Sequence, residues 1–152
     1  MNRWKTFILI SLTSLFLSHC SYNNGGDTEL WGTWHLSSIT IDGTEDTAYQ
    51  QNFFWKFQGD VILIQQLTGA HERYDRYGTW SLSSNRSRLT INFGHKDDEY
   101  QPGTGIYQPS PDIYIYQSIT TFDILTLNNS TLVLKMTDTE TGTIYNYFLE
   151  KR

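Results

Sequence analysis

Side chains that could carry catalytic or metal-binding chemistry are few in this 152-residue chain. Beyond residue 20 it has three histidines, His35, His71 and His95, and no cysteine that could join them as a metal ligand. No two of them have the spacing of a metal site, and the acidic run Asp97–Glu99 lacks the pattern of a calcium loop. We therefore predict histidines at solvated loops or strand ends, with no metal and no cofactor.

Motifs for covalent or phosphate chemistry are also missing. The chain has no Gly-x-Ser-x-Gly nucleophile motif, no phosphate-binding loop and no dinucleotide fingerprint. Two carboxylates that are distant in sequence could still meet in the fold as a hydrolytic pair, but nothing singles out such a pair. The sequence therefore predicts a protein that is not an enzyme, and we assign no catalytic residue.

Aromatic side chains are the unusual feature, at 15% of the chain. Large rings fill a protein core well, and Tyr and Trp also present a flat apolar face with a hydrogen-bonding tip. Two interpretations stay open. The rings fill the core, or some of them line a pocket for an amphipathic molecule or a glycan. The candidate ligand-binding residues of the second interpretation are Trp55, Tyr74, Tyr114, Tyr116, Tyr145 and Tyr147.

The elements that must position these rings are strands. The stretch from Leu30 to Gly43 is rich in branched and aromatic residues, shows no helical periodicity and ends in the turn signal Asp42-Gly43. Gly32 stands where a bulky side chain would hinder close packing under Trp34. A second Gly-Thr-Trp copy begins at Gly78, which suggests a barrel built from similar hairpins.

Eight segments have strand character, and most are joined by short turns such as Gly59-Asp60. The segments cover residues 32–41, 52–58, 61–67, 71–82, 88–93, 113–127, 131–137 and 143–150. We predict an all-β fold, an eight-stranded antiparallel up-and-down β-barrel, whose closure removes exposed edges. Such a barrel has room for side chains or for one small ligand. The long irregular segment from Gly94 to Asp112 is a candidate lid.

The N-terminus has the features of an export signal. Arg3 and Lys5 precede an apolar run from Thr6 to Leu17 that is too short to span a bilayer. Residues 1–19 are therefore predicted to be a signal peptide. Cys20, the only cysteine, follows a lipobox-like Leu-Ser-His and is the predicted lipid attachment site. Residues 20–29 form a flexible tether, and residues 30–152 form the barrel domain.

Charge limits the partners that we expect. The formal net charge is −5, which argues against binding to nucleic acid or electrostatic attachment to anionic lipid. The predicted location is the cell envelope, with a lipid anchor in the outer membrane and the domain either periplasmic or surface-exposed. Stable attachment needs the two or more acyl chains that a lipoprotein cysteine carries.

Three ordered motifs resemble the lipocalin-like lipoprotein domains of Bacteroidetes, within the calycin barrels. They are Leu30–Trp34 followed by Asp42-Gly43, Gly78–Leu82 followed by Leu89–Ile91, and Phe122–Leu127 leading to Thr131–Lys135. The resemblance implies that Trp34 closes one end of the barrel beneath a basic residue, Lys151 or Arg152, of which Arg152 is our assignment. The chain lacks the Thr-Asp-Tyr motif and the disulfide of typical lipocalins.

Two functional hypotheses follow from the resemblance and the aromatic residues. The first is a non-catalytic, lipid-anchored barrel that binds a small amphipathic or hydrophobic ligand in its mouth. The alternative is an interaction module that docks a protein or glycan partner and has no ligand in the lumen.

Overall fold

Alternation of apolar and polar residues produces nine antiparallel strands in the computed structural model, which describes residues 29–69, 72–94 and 105–152. The predicted signal peptide, Cys20, His71, His95 and most of the predicted lid lie outside the described residues. The strands are β1 (Gly32–Ile41), β2 (Thr44–Glu45), β3 (Phe53–Gln58), β4 (Val61–Leu67), β5 (Arg73–Leu82), β6 (Arg88–Asn92), β7 (Ile119–Leu127), β8 (Thr131–Thr137) and β9 (Ile144–Lys151).

The strands close into a barrel. From β3 onward each strand pairs with the next, β1 pairs with β3, and β9 returns to pair with β1. The two-residue β2, which was not predicted, extends the β1 edge through the Asp42-Gly43 turn, in which both residues have positive φ, as a type I′ hairpin turn requires. The eight long strands therefore confirm the predicted antiparallel up-and-down barrel.

One predicted strand was wrong over its first six residues. The sixth segment was expected to be extended from residue 113 to residue 127, but β7 begins at Ile119. Pro111–Ile113 forms a short 3-10 turn, and Tyr114 follows in the left-handed conformation with φ 64°. Ile113 and Ile115 alternate like strand residues because both are buried, but they are buried in the barrel mouth rather than in its wall. Among the described residues no helix is long and apolar enough to span a membrane.

Aromatic rings fill the lumen. Trp55 on β3 lies 5.8 Å from the ring of Phe122 on β7 and 6.0 Å from that of Tyr147 on β9, so these contacts cross the barrel. Phe122 and Tyr147 also meet edge to face at 5.5 Å. Burying each such ring contributes about 1.5–3 kcal/mol, and this layer therefore supplies much of the driving force for closure.

Hairpin connections alternate between the two ends of the barrel. One end is closed, and the other forms the mouth. At the closed end Leu30 is fully buried, and its carbonyl accepts a hydrogen bond from Nε1 of Trp34 at 2.7 Å. Gly32 has φ 117°, and a Cβ there would lie 3.2 Å from Cε of Lys151. This geometry explains the glycine of the first motif, since side chains rarely tolerate that backbone conformation.

Candidate functional site

The mouth is crossed by residues 105–118, which we call the mouth segment. Ile113 and Ile115 of this segment are fully buried. The buried hydroxyl of Tyr147 donates a hydrogen bond to the Ile113 carbonyl at 3.0 Å. Apolar burial and this hydrogen bond together hold the segment against the top of the aromatic lumen.

Polar contacts fix the mouth segment along its length. The Tyr77 amide donates to the Ile106 carbonyl at 2.7 Å, and the Phe93 amide donates to the Ser118 carbonyl at 2.7 Å. The side chain of Arg76, which points into the barrel beside Ile64, lies 3.5 Å from the carboxylate of Asp112. These contacts come from β5 and the end of β6, so they fasten one side of the segment to the barrel rim.

On the other side a cleft of about 500 Å³ separates the mouth segment from the rim. Its walls are the end of the segment, the first residues of β7, the last residues of β8 and the turn between β8 and β9. The lining residues are Tyr114, Tyr116, Gln117, Ile119, Thr120, Thr121, Met136, Thr137, Asp138, Thr139 and Glu140. This volume lies within the range of small-molecule sites in proteins.

The cleft combines apolar and hydrogen-bonding surface. Tyr116 and Ile119 are 57% and 61% exposed, whereas Met136 and Thr120 are buried at its base. Asp138 and Glu140 are its charged lining residues. Backbone N–H groups of Glu140 and Thr141 donate to Asp138 and hold the pKa of its carboxyl below the usual value. The arrangement can bind an amphipathic molecule, with its apolar part on the rings and its polar part near the turn.

Tyr114 and Tyr145 beside the cleft have raised pKa values and stay protonated well above neutral pH. The rings of Tyr114 and Tyr145 stack at 4.8 Å with an interplanar angle of 18°. The hydrogen bond from the Tyr114 hydroxyl to Asp46 at 2.8 Å, and then burial, raise the pKa of Tyr114 to about 12. Burial raises the pKa of Tyr145, and the nearby Tyr116 and Asp138 raise it further. The hydroxyls therefore remain neutral hydrogen-bonding groups.

The predicted ligand-binding residues divide into three groups. Tyr114 and Tyr116 line the cleft, and Tyr145 supports Tyr114 from below. Trp55 and Tyr147 are core residues of the filled lumen. Tyr74 is half exposed on β5, where its hydroxyl contacts Glu72 at 3.2 Å, and it does not line the cleft. At the cleft the structure thus brings together Tyr114, Tyr116 and Tyr145 of the predicted residues.

At the closed end the cation over Trp34 is Lys151, rather than Arg152 as we had assigned. Nζ of Lys151 lies 4.9 Å from the Trp34 ring centroid and donates to the Glu29 carbonyl at 2.8 Å. Trp34 and Lys151 are paired across β1 and β9, so both side chains point inward. Arg152 is one residue further and points the other way, where it contacts Nδ1 of His35 at 3.0 Å.

His35 is occupied by structural contacts. Its Nε2 lies 2.8 Å from the Gln51 carbonyl, and its Nδ1 faces Arg152. These partners fit the neutral ring with the proton on Nε2, which leaves neither nitrogen for a ligand. In the part of the chain that the structure describes, no three His, Cys, Asp or Glu side chains are close enough together to hold a metal ion.

Sequence reasoning missed most of the cleft. In the sequence, residues 138–142 show only the polar composition of a turn, and Ile119 and Met136 only belong to predicted strands. The number of strands between two connections could have revealed the cleft. In an up-and-down barrel, the long connection before β7 and the turn after β8 must lie at the same end. Two strands separate these connections, so their residues meet on one side of the mouth.

Comparisons with known proteins agree with this geometry. A family model described as a lipocalin-like domain matches residues 15–142. The crystal structure of a lipocalin-like protein from Bacteroides uniformis aligns with TM-score 0.57 and 22% identity over 82% of this chain and 99% of that one. An uncharacterized protein from Bacteroides eggerthii aligns with TM-score 0.54 and 16% identity over 81% and 99%. At these identities the likeness shows the fold alone.

Among curated protein sequences, none matches this chain. The family model, however, spans well over half of the sequence and covers both Gly-x-Trp motifs. The closed antiparallel barrel of the structure agrees with this match. The chain belongs to the lipocalin-like domain family.

Proposed function

We propose that the protein is a non-catalytic binding protein that takes a small amphipathic ligand in the cleft at the barrel mouth. The observation that carries this proposal is the cleft itself, a cavity of about 500 Å³ with two half-exposed apolar side chains at its rim. Cavities of this size with apolar walls and a few polar groups are the usual form of small-molecule sites.

The site is the cleft and not the lumen. Trp34, Trp55 and Tyr147 are fully buried, and ring contacts span the barrel beneath the mouth segment. A ligand in the lumen would have to displace these rings or the buried Ile113. A ligand in the cleft instead covers Tyr116 and Ile119, which are already exposed. Covering about 100 Å² of apolar surface there contributes about 2.5 kcal/mol.

A dye-binding experiment tests this placement. Nile red, which is neutral and apolar, is expected to fluoresce on binding to the full chain, and Tyr116→Ala should weaken its affinity about tenfold. Tyr74→Ala is the matched control, because Tyr74 is also about half exposed but lies outside the cleft. Both variants should keep the stability of the parent chain, since each residue is at the surface.

Two outcomes would count against the cleft. If Tyr74→Ala weakens the dye as much as Tyr116→Ala does, the ligand is not bound where we place it. If no dye binds at concentrations below the one at which the dye itself aggregates, the proposed small-molecule role is wrong.

A second candidate function has its own supporting observation. A filled lumen beside an exposed apolar rim, here Tyr116 and Ile119, also suits docking of a protein or glycan partner. A photo-crosslinking amino acid at position 116 in the native host would then capture the same partner reproducibly, while one at position 74 would not. Absence of any reproducible adduct at position 116 would exclude this role in favour of the small ligand.

We infer further that the protein is anchored in the cell envelope through Cys20. The support is the sequence alone, with a basic start, a short apolar run and a single cysteine. Metabolic labelling with an alkyne fatty acid should mark the parent chain, and Cys20→Ser should abolish both the label and recovery in the membrane fraction. A labelled Cys20→Ser variant would refute the assignment.

A further inference from the structure

The cleft carries negative charge, and this charge indicates which class of ligand the cleft can bind. Among the described residues, its charged lining residues are Asp138 and Glu140, and the lining includes no described Lys, Arg or His. Other described carboxylates lie at the same end of the barrel, on the hairpin of β1 and β2. They are Asp42, Glu45 and Asp46.

The described Arg and Lys side chains near this end of the barrel point away from the cleft and contact other carboxylates. Arg73 pairs with Asp75 at 3.1 Å on β5, and Arg76 faces Asp112 on the far side of the mouth segment. Lys135 of β8 lies on the outer face, 4.0 Å from Asp123. The described charges around the cleft are therefore mainly negative, and the net charge of the chain is −5.

The rings of the cleft reinforce this selectivity. More than half of the Tyr116 surface is exposed. Tyr114 also lines the cleft, and its ring stacks on that of Tyr145. Aromatic faces attract cations through the negative side of the ring quadrupole, and they do not compensate an anion. Met136 and Ile119 supply the apolar surface against which a hydrocarbon portion can pack.

We propose that the ligand of this cleft is a cationic amphiphile, with an amine or quaternary ammonium head near Asp138 and Glu140 and an apolar portion on Ile119 and Met136. The proposal rests on the function proposed above and narrows it. An anionic amphiphile, such as one with a carboxylate or sulfate head, is disfavoured because its charge would face the two acids without a countercharge.

Methionine supplies a local probe for the test. The chain has two methionines, Met1 and Met136, so labelling with ¹³C-methyl methionine gives two signals, and Met136→Leu assigns the one in the cleft. The full chain is titrated with decyltrimethylammonium, decyl sulfate and the neutral decyl glucoside, each below its micelle concentration. The shift of the Met136 methyl reports binding in the cleft for each head group.

The expected result is about tenfold tighter binding of the ammonium than of the sulfate at Met136. Asp138→Asn with Glu140→Gln should bring this ratio close to one. The amide of the first substitution keeps an oxygen that can accept the hydrogen bonds of the turn, so the loop geometry is preserved. Asp60→Asn with Glu150→Gln is the matched control, since it removes two exposed carboxylates outside the cleft and should leave the ratio unchanged within about twofold.

The remaining outcomes separate the two proposals. If sulfate or glucoside shifts Met136 at least as strongly as the ammonium does, the cationic class is wrong and the small-molecule site stands. If the control variant loses the preference as fully as the cleft variant, the selectivity comes from net charge and the inference fails. If no amphiphile shifts Met136, the proposed function falls together with it.

Discussion

The hydroxyl of Tyr147 joins the barrel wall to the mouth segment. Burial raises the pKa of Tyr147 well above its ordinary value, because an ionised phenol would lose its hydration inside the barrel. The hydroxyl instead donates to the Ile113 carbonyl. A residue predicted to contact ligand thus has a structural role, because its position in the strand places it one layer below the cleft.

Tyr147→Phe keeps the ring and removes this one hydrogen bond. We expect the free energy of unfolding to fall by about 1–2 kcal/mol, because the buried Ile113 carbonyl loses its partner. Tyr74→Phe, which removes an exposed hydrogen bond to Glu72, should change stability by less than about 0.5 kcal/mol. Urea denaturation of both variants makes the comparison, and equal effects would show that the Tyr147 hydroxyl does not hold the segment.

At the closed end the two terminal cations are expected to differ. Lys151→Met removes the charge over Trp34 and the bond to the Glu29 carbonyl, and it should cost about 1–3 kcal/mol. Arg152→Met removes an exposed contact with His35 and should cost about 0.5 kcal/mol or less. The difference in urea midpoint between these variants tests the register of β9 against β1, which places Lys151 opposite Trp34. A larger loss of stability in Arg152→Met would contradict this register.

Among the elements, the strands were predictable and the mouth segment was not. Trp55 and Phe57 flank Lys56, and Leu134 and Met136 flank Lys135, and this alternation alone places the apolar residues inward. Ile113 and Ile115 show the same alternation, but what buries them is the mouth of a barrel that exists only after all the strands have paired. Such a contact depends on tertiary context, which a local pattern does not contain.

Gly78 marks a close approach of β5 to the end of β6. A Cβ at Gly78 would lie 2.7 Å from the Asn92 carbonyl oxygen, a backbone atom that cannot move aside easily. Gly78→Ala is therefore expected to lower the free energy of unfolding by about 1–3 kcal/mol. At Gly69 nothing lies within 4 Å of the added Cβ, so Gly69→Ala should be close to neutral in the same thermal or urea unfolding series.

Four tyrosines with raised pKa values predict that the fold is sensitive to alkali. Tyr49, Tyr145 and Tyr147 have raised pKa values because of burial, and the bond to Asp46 raises the pKa of Tyr114 to about 12. The folded state therefore holds these protons more tightly than the unfolded chain does. The resulting stabilisation is complete below pH 10.0, the ordinary tyrosine pKa, and is lost as pH rises through the folded values.

We accordingly expect the free energy of unfolding to decline above about pH 10 and the decline to be shallower in Tyr114→Phe. Urea denaturation at a series of alkaline pH values measures the slope directly. A slope that is the same in Tyr114→Phe and the parent would show that the bond to Asp46 does not shift this hydroxyl.

For the whole molecule, the barrel could be predicted from the sequence, whereas the position of the binding site could not. Repeated Gly-x-Trp motifs and short turns were sufficient for the eight-stranded closure, because strand alternation and hairpin turns are local signals. The choice between a filled and a hollow lumen depended on how rings from β3, β7 and β9 meet in space. The structure fills the lumen and leaves the cleft at the rim, so the proposed site stays at the barrel mouth but no longer includes Trp55 and Tyr147.

The position of a bound amphiphile is the most direct test of this account. Isotope-filtered nuclear Overhauser spectra of the full chain with decyltrimethylammonium would identify the side chains in contact with the decyl group. We predict contacts to the Met136 methyl group, the Tyr116 ring and the Ile119 methyl groups, with none to the Trp55 ring. Contacts to Trp55 or Phe122, with none to Met136, would place the ligand in the lumen and contradict the account.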